Sequence, residues 1–337
     1  MRFSIVIPVY NVAGYIDQCL RSVSSQGFKD YEVILVNDGS TDQSAEICKE
    51  FISKGVCKSR LINQDNSGLL SARRAGISEA CGEYIISLDG DDALRADALE
   101  LIDDCIGETQ SDVVIFGYSR KRDFSQAVSP TLVGGRTYSG NEARREFCKT
   151  NRLNSMWGKA VARSVVGQSV DFSRFGRLNM GEDALQSLVI FDKASTITCL
   201  DVPLYYYRPN ASSISSCVGL SYLDDMEIVH DEVLGYAEKW DDELGENACA
   251  AFAISRCAEE IVHFALHYPE GLSFDEARDG LCRAAHSKAI SSFKVNARGD
   301  NLPMYARMVV AALIRGHFWP VWLMAQTRKR LLILKEV

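Results

Sequence analysis

Two aspartates, Asp89 and Asp91, stand two residues apart at the end of the apolar run Tyr84 to Leu88. In extended backbone that spacing sends both side chains the same way, so they could share one cation. Carboxylate oxygens select hard ions such as magnesium or manganese, which complete their shells with substrate phosphate oxygens and water. The competing reading is a solvated Asp-Gly-Asp-Asp turn; the position after a buried strand favours the cation. Further on, Gly181-Glu182-Asp183 opens an amphipathic segment that runs to Lys193. Acids in a first helical turn complement the helix dipole, but a carboxylate there can also take the proton of an attacking hydroxyl. Asp183 is the candidate base, with Glu182 orienting it or binding the acceptor. By analogy with inverting glycosidases, a carboxylate on the face away from the leaving group gives inversion.

Other candidates carry two readings each. Asp38, in Asn37-Asp38-Gly39-Ser40-Thr41-Asp42, and Asp65, in Gln64-Asp65-Asn66-Ser67-Gly68, lie in turns, where they either cap the next helix or hydrogen-bond a base or ribose. Pro8-Val9-Tyr10-Asn11 either ends a strand or offers its backbone to a nucleotide base. Arg208, after three tyrosines and before Ser212 and Ser213, either adds positive charge to a departing diphosphate or decorates an edge strand. Trp157 either stacks on a sugar ring or fills the core, with the core favoured. His263 and His267 are at helical i, i+4 spacing without the acid of a zinc-protease site, and are read as structural.

These residues need elements that bring them together. β-branched runs at 3–9, 32–37, 60–64 and 84–88 alternate with amphipathic segments at 14–25, 44–53 and 68–79. That alternation implies an α/β fold, a doubly wound parallel sheet with its ligand site beyond the carboxyl ends of the strands. The candidate acids follow those strand ends. A fifth strand is expected at 112–118, a loop excursion from 119 to about 140 that contains Pro130, and two short strands at 196–200 and 203–207. Beyond about residue 220 the pattern is helical. No internal repeat or low-complexity tract is visible.

The 337 residues, 47% of them hydrophobic, suffice for a large core, and a formal charge of -8 excludes general affinity for nucleic acid. Eleven cysteines without a CxxC pair fit a reducing cytoplasm better than a disulfide framework. The opening Phe3-Ser4-Ile5-Val6-Ile7 is broken by Pro8 and reads as a strand rather than a signal peptide. No apolar run reaches the roughly 18 residues a spanning helix needs. Residues 308–314 and 318–324, with Trp319 and Trp322, are apolar and precede Arg328, Lys329, Arg330 and Lys335. That composition suits either peripheral contact with a membrane, at its inner face, or a helix pair packing on the core or in a homo-oligomer.

The order of Ser4 to Asn11, Val36 to Asp42, Gln64 to Gly76, Ser87 to Asp92, Gly181 to Asp183 and Tyr205 to Arg208 resembles glycosyltransferase family 2, over about residues 3 to 215. The resemblance implies a GT-A fold over residues 1–215, with a nucleotide-sugar-binding half at 1–110 and an acceptor half at 111–215, ahead of a helical region at 216–337. It implies that Pro8, Tyr10, Asp38 and Asp65 line the nucleotide pocket, that Asp89 and Asp91 form the DXD element with Asp91 the firmer ligand of Mn2+ or Mg2+, and that Asp183 is the base. Asp92 matches the acid that often follows that element. Gly90 stands where such sequences often carry serine, which is expected to be tolerated.

The implied activity is inverting transfer of a sugar from a nucleotide-diphosphate donor, with uridine diphosphate the expected carrier. The implied acceptor is a hydroxyl of a saccharide or lipid-linked saccharide, in cell-surface or capsular polysaccharide assembly. The Gln-x-x-Arg-Trp element of processive synthases is missing, so one sugar per encounter is expected. A nucleotidylyltransferase lacks its glycine-rich loop here, a dinucleotide oxidoreductase lacks G-x-G-x-x-G, and a non-catalytic sugar-nucleotide binder fits poorly with intact Asp89, Asp91 and Asp183.

Overall fold

The computed structural model describes residues 1–129, 132, 134–209, 219–245, 247–296 and 302–333, with side-chain surroundings up to residue 327 and not at 296. Pro130, Ser212, Ser213 and Lys335 lie outside the described residues, as do the side chains of Arg328, Lys329 and Arg330. The chain forms two compact units, Met1–Ala143 with Arg152–Asn210, and Arg144–Asn151 with Ala211–Val337.

In the first unit β1 (Phe3–Val9), β2 (Tyr31–Asp38), β3 (Lys58–Gln64) and β4 (Tyr84–Ser87) form a parallel block in the order β3-β2-β1-β4. Every residue of β1, β2 and β4 is buried, as continuous apolar runs in a parallel sheet require. The connecting helices are α1 (Ile16–Ser24), α2 (Ser44–Ser53) and α3 (Leu69–Glu79). α3 lies close on the sheet through Gly76, where a Cβ would stand 2.4 Å from Val6 Cγ1. Near the start of β2, Glu32 accepts from Ser4 Oγ at 2.8 Å and Cys81 N at 2.9 Å and pairs with Arg60 at 2.6 Å. Burial opposes its charge, but these partners prevail and hold it below the usual carboxylate range.

The sheet continues through β9 (Lys159–Ala162), β6 (Val113–Ser119), β10 (Thr196–Tyr206) and β5 (Ala93–Leu94). β9 runs antiparallel to β4 and β6, β10 runs parallel to β6, and β5 pairs antiparallel with β10. Helices α4 (Ala98–Thr109), α5 (Gly140–Lys149) and α6 (Glu182–Lys193) complete the chain order. Where two short strands were expected after residue 196, one strand forms, and the break in pattern becomes two register shifts around Pro203. Proline cannot donate to a ladder, so an irregularity there keeps the strand in the sheet. The expected loop at 119–140 contains β7 (Ala127–Val128) and β8 (Arg136–Ser139), which pair with β6 and β10.

The second unit is helical among the described residues: the end of α5 from Arg144, then α7 (Ser221–Leu244), α8 (Cys249–His267), α9 (Phe274–Ala285), α10 (Lys288–Asn296), α11 (Met304–Ile314) and α12 (Phe318–Ile333). Its core includes Trp240 of α7 edge-on to Phe147 at 6.1 Å. Buried Asp241 starts α8 by accepting from Ala248 N, Cys249 N and Ala250 N at 2.8–3.1 Å, which satisfies donors a helix N-terminus otherwise leaves open. His230 Nε2 lies 2.8 Å from Glu260 Oε2. His267 Nδ1 turns to the His263 carbonyl, and no metal cluster forms among the described residues. No helix among them is long and apolar enough to cross a membrane, and their ten cysteines are free thiols.

Candidate active site at the strand ends

The carboxyl ends of β1, β2 and β3 build one edge of the site, and much of its polar chemistry is internal. Asp38, 3% exposed at the end of β2, accepts from Gln64 Nε2 at 2.7 Å, Ser67 N at 2.8 Å and Gly68 N at 2.9 Å. It therefore caps α3 from a neighbouring strand and shapes the 64–68 turn, and these bonds occupy most of a carboxylate's roughly four acceptor positions. Gly39 must be glycine-like here: its φ is +71° and a Cβ would stand 2.8 Å from Asn66 N. Asn11, at φ 51°, accepts from Thr41 N at 2.8 Å and ties β1 to the loop after β2. Pro8 is buried inside β1 opposite Val36, so only its carbonyl side approaches the site. Tyr10 is 47% exposed and Asp65 is exposed, and both stand on this edge available to a ligand.

Beyond β4 the acids converge on a buried arginine. Arg73 of α3 is fully buried; its NH1 donates to Asp183 Oδ1 at 2.5 Å and its NH2 to Asp89 Oδ1 at 3.1 Å. One guanidinium thus joins the acid after β4 to the acid in the first turn of α6. Burial works against the charge on Arg73, but Asp183, Asp89 and Glu182 outweigh it and its pKa is raised. Burial likewise raises Asp89, with Arg73 pulling the other way. Asp183 Oδ2 also accepts from Met156 N at 3.3 Å. Glu182, next to it, is pushed up to about 8 by burial and by the charge of Asp183, so it holds its proton at neutral pH. Lys159, at the start of β9, is buried, donates to the Ser155 carbonyl, and is lowered to about 8 by burial against the pull of Asp183.

The 89–92 turn is fastened from β10. Asp92, 2% exposed, accepts from Tyr205 Oη at 2.7 Å and from Arg208 N at 2.8 Å. Burial and the charges of Asp89 and Asp91 push it up to about 8. Arg208 donates through Nε to the Asp91 carbonyl and through NH2 to Gln18 Oε1, both at 2.7 Å, and lies 4.8 Å from the ring centre of Tyr15. Asp91 is half-buried, and among the described residues its carboxylate accepts no hydrogen bond. Gly90 packs more tightly than its place in the sequence suggests. A Cβ would be 3.1 Å from both the Pro8 carbonyl and Val12 Cγ2, so serine there requires the surroundings to give by a few tenths of an ångström.

Trp157 is half-buried and lies over Tyr205 at 5.1 Å and Tyr207 at 5.3 Å, with Tyr118 edge-on at 5.0 Å. A cavity of about 380 Å³ opens on the far side of α3, between Ser67, Arg74 and Phe172, and does not reach Asp89, Asp91 or Asp183. The structure therefore brings Asp89, Asp183 and Glu182 together around Arg73, and Asp91, Asp92 and Arg208 into the adjoining turn. Arg73 and Lys159 escape a reading of sequence alone. Arg73 shares a helical face with Gly76 and Ile77, the residues that pack on the sheet, and that spacing is the available signal.

A parallel block extended by antiparallel strands, with acids after β4 facing the start of α6, defines the GT-A glycosyltransferase fold. Staphylococcus aureus TarS 1–349, solved in complex with UDP-GlcNAc, has the same fold: TM-score 0.69 at 18% identity, covering 98% of this chain and 92% of that one. The mannosyltransferase PcManGT from Pyrobaculum calidifontis, solved with GDP-Man and Mn2+, aligns with a TM-score of 0.50 at 14% identity, over 96% of this chain and 85% of that one. Residues 4–164 match Glycosyl transferase family 2. The uncharacterized glycosyltransferase EpsJ of Bacillus subtilis is 32% identical over 215 residues, 63% of this chain and 62% of EpsJ. The matched part thus spans less than two thirds of that relative.

Proposed function

We propose that this chain transfers a glycosyl unit from a nucleotide-diphosphate sugar to an acceptor hydroxyl, with inversion at the anomeric carbon. The observation that carries the reading is the Arg73 bridge, which sets the Asp89 turn against the Asp183 carboxylate. Asp183 takes the acceptor proton, oriented by Arg73 and by Met156 N. Glu182, protonated at neutral pH, donates a hydrogen bond to the acceptor. Trp157, spread over two tyrosines, offers a platform for a saccharide ring. Tyr10 and Asp65 serve the nucleotide base and ribose, while Pro8, Asn11 and Asp38 shape the backbone around it. Arg208 lies beside the diphosphate.

With Asp92 and Glu182 pushed toward their protonated forms, Asp89, Asp91 and Asp183 already balance Arg73, Arg208 and Lys159, so the charge of an incoming diphosphate is left to be offset. The residues fit a hard divalent ion: Asp91 presents a carboxylate without a hydrogen-bond partner among the described residues, and Mg2+ and Mn2+ accept one or two carboxylates with phosphate oxygens and water. Asp91 would hold the ion, with Asp89 beside it. When bound, the ion offsets the charge of the diphosphate as the bond to the sugar breaks. Uridine is the base we favour, since the structurally similar TarS was solved with UDP-GlcNAc.

Thermal unfolding with a panel of UDP- and GDP-sugars, with and without Mn2+, tests the donor half. A donor at about 100 times its Kd adds roughly 2.7 kcal/mol of stability. One sugar nucleotide should raise Tm in a Mn2+-dependent way, and Asp91→Ala should remove the Mn2+ dependence. No shift with any donor would contradict the proposal.

A further inference from the structure

α11 and α12 are secured on their inner faces and left apolar on their outer ones. α11 buries Ala306, Val309, Val310 and Leu313, and α12 buries Val321 and Ala325. Trp322 Nε1 donates to the Leu272 carbonyl at 3.0 Å and Gln326 Nε2 to the Pro269 carbonyl at 2.6 Å, so α12 already has its place in the helical unit. Outward stand Met304 at 79% exposure, Met308 at 59%, Trp319 at 55% and Leu323 at 40%. Each pair is spaced i, i+4 and shares one helical face. With Tyr305, these make five of the eleven large apolar side chains exposed among the described residues. The concentration in one helix pair exceeds the scattered exposure of an ordinary surface.

Charge selects the occupant. From residue 302 onward the chain carries Arg307, Arg315, Arg328, Lys329, Arg330 and Lys335 against one acid, Glu336, although the whole protein has a formal charge of -8. A two-fold interface with a second copy would set this basic stretch against itself. No helix among the described residues can span a bilayer. We propose that the outer face of α11 and α12 docks on an anionic lipid membrane surface. Met304, Met308, Trp319 and Leu323 enter the headgroup boundary, and the net positive charge of the sequence from residue 302 onward draws the chain to anionic lipid.

The test is sedimentation of the full chain with vesicles of phosphatidylcholine alone and of mixed phosphatidylcholine and phosphatidylglycerol. Binding to the mixed vesicles only, weakened by salt, is expected. The double variant Trp319→Ser, Leu323→Ser should bind at least about tenfold more weakly, given the apolar area removed. Arg315→Glu with Lys329→Glu, which leaves the apolar residues in place, should also lose about fivefold or more per site. Far-ultraviolet circular dichroism and the donor-induced Tm shift of each variant report retained fold. Equal binding to both vesicle types, no binding to either, or unchanged binding by both variants overturns the proposal. So does a concentration-dependent dimer in analytical ultracentrifugation that the Trp319, Leu323 variant abolishes, which would assign the face to a second copy.

Discussion

Glu182 shows how position alone gives a carboxyl a second chemistry. In an unfolded chain it would release its proton near the usual 4.5; folded, burial and Asp183 hold the proton to about 8. Between those values the folded state binds more protons than the unfolded one, so stability declines as pH rises from about 4.5 through about 8. Thermal unfolding from pH 5 to 8 should show Tm falling in the wild type, and Glu182→Gln, neutral throughout, should flatten that slope. An unchanged slope would place the proton elsewhere. At this scale the sequence is informative about acids and silent about their partner. Asp89 and Asp91 stand out as polar residues after an apolar run, and Asp183 as an acid in the first turn of an amphipathic segment. Arg73 does not, because Arg73-Arg74 in a helix reads as a solvated pair, and only the tertiary fold shows that one of the two is buried.

The elements are governed by close approach between α3 and the sheet. Gly76 leaves no room for a side chain above Val6 and Val36, both fully buried. Gly76→Ala should therefore destabilise by about 1–3 kcal/mol despite the better helix propensity of alanine. Gly107 in α4, where a Cβ would meet nothing within 4 Å, is the control: Gly107→Ala should stabilise by up to about 1 kcal/mol. Equal effects in denaturant melts would remove the packing argument. β1, β2 and β4 are legible in the sequence because strands buried on both faces are apolar throughout. The short β5, β7 and β9 are not, since strands of two to four residues are too brief for a period to appear. β10 reads as two strands because Pro203 interrupts a pattern that the sheet bridges by a change of register.

At the scale of the molecule, the proposed reaction assigns donor and acceptor chemistry to different parts of the first unit: the carboxyl ends of β1 to β4 for the donor, and α6, β9 and β10 for the acceptor. The first set follows a strand–helix alternation that sequence displays directly. The second depends on pairing over long separations, such as Asp92 with Tyr205 and Arg208, and on an aromatic stack at Trp157 that composition cannot distinguish from core. The helical unit is visible as periodicity, but its outward apolar face is known only once the inner face is assigned. The division of labour within the first unit leads to one decisive measurement, release of nucleoside diphosphate from the bound donor in the presence of a saccharide acceptor mixture, by wild type and Asp183→Asn. Donor binding within a few-fold of wild type and turnover lower by about a hundredfold or more are predicted. Full turnover by Asp183→Asn with donor binding unchanged would contradict the assignment of Asp183 as the base.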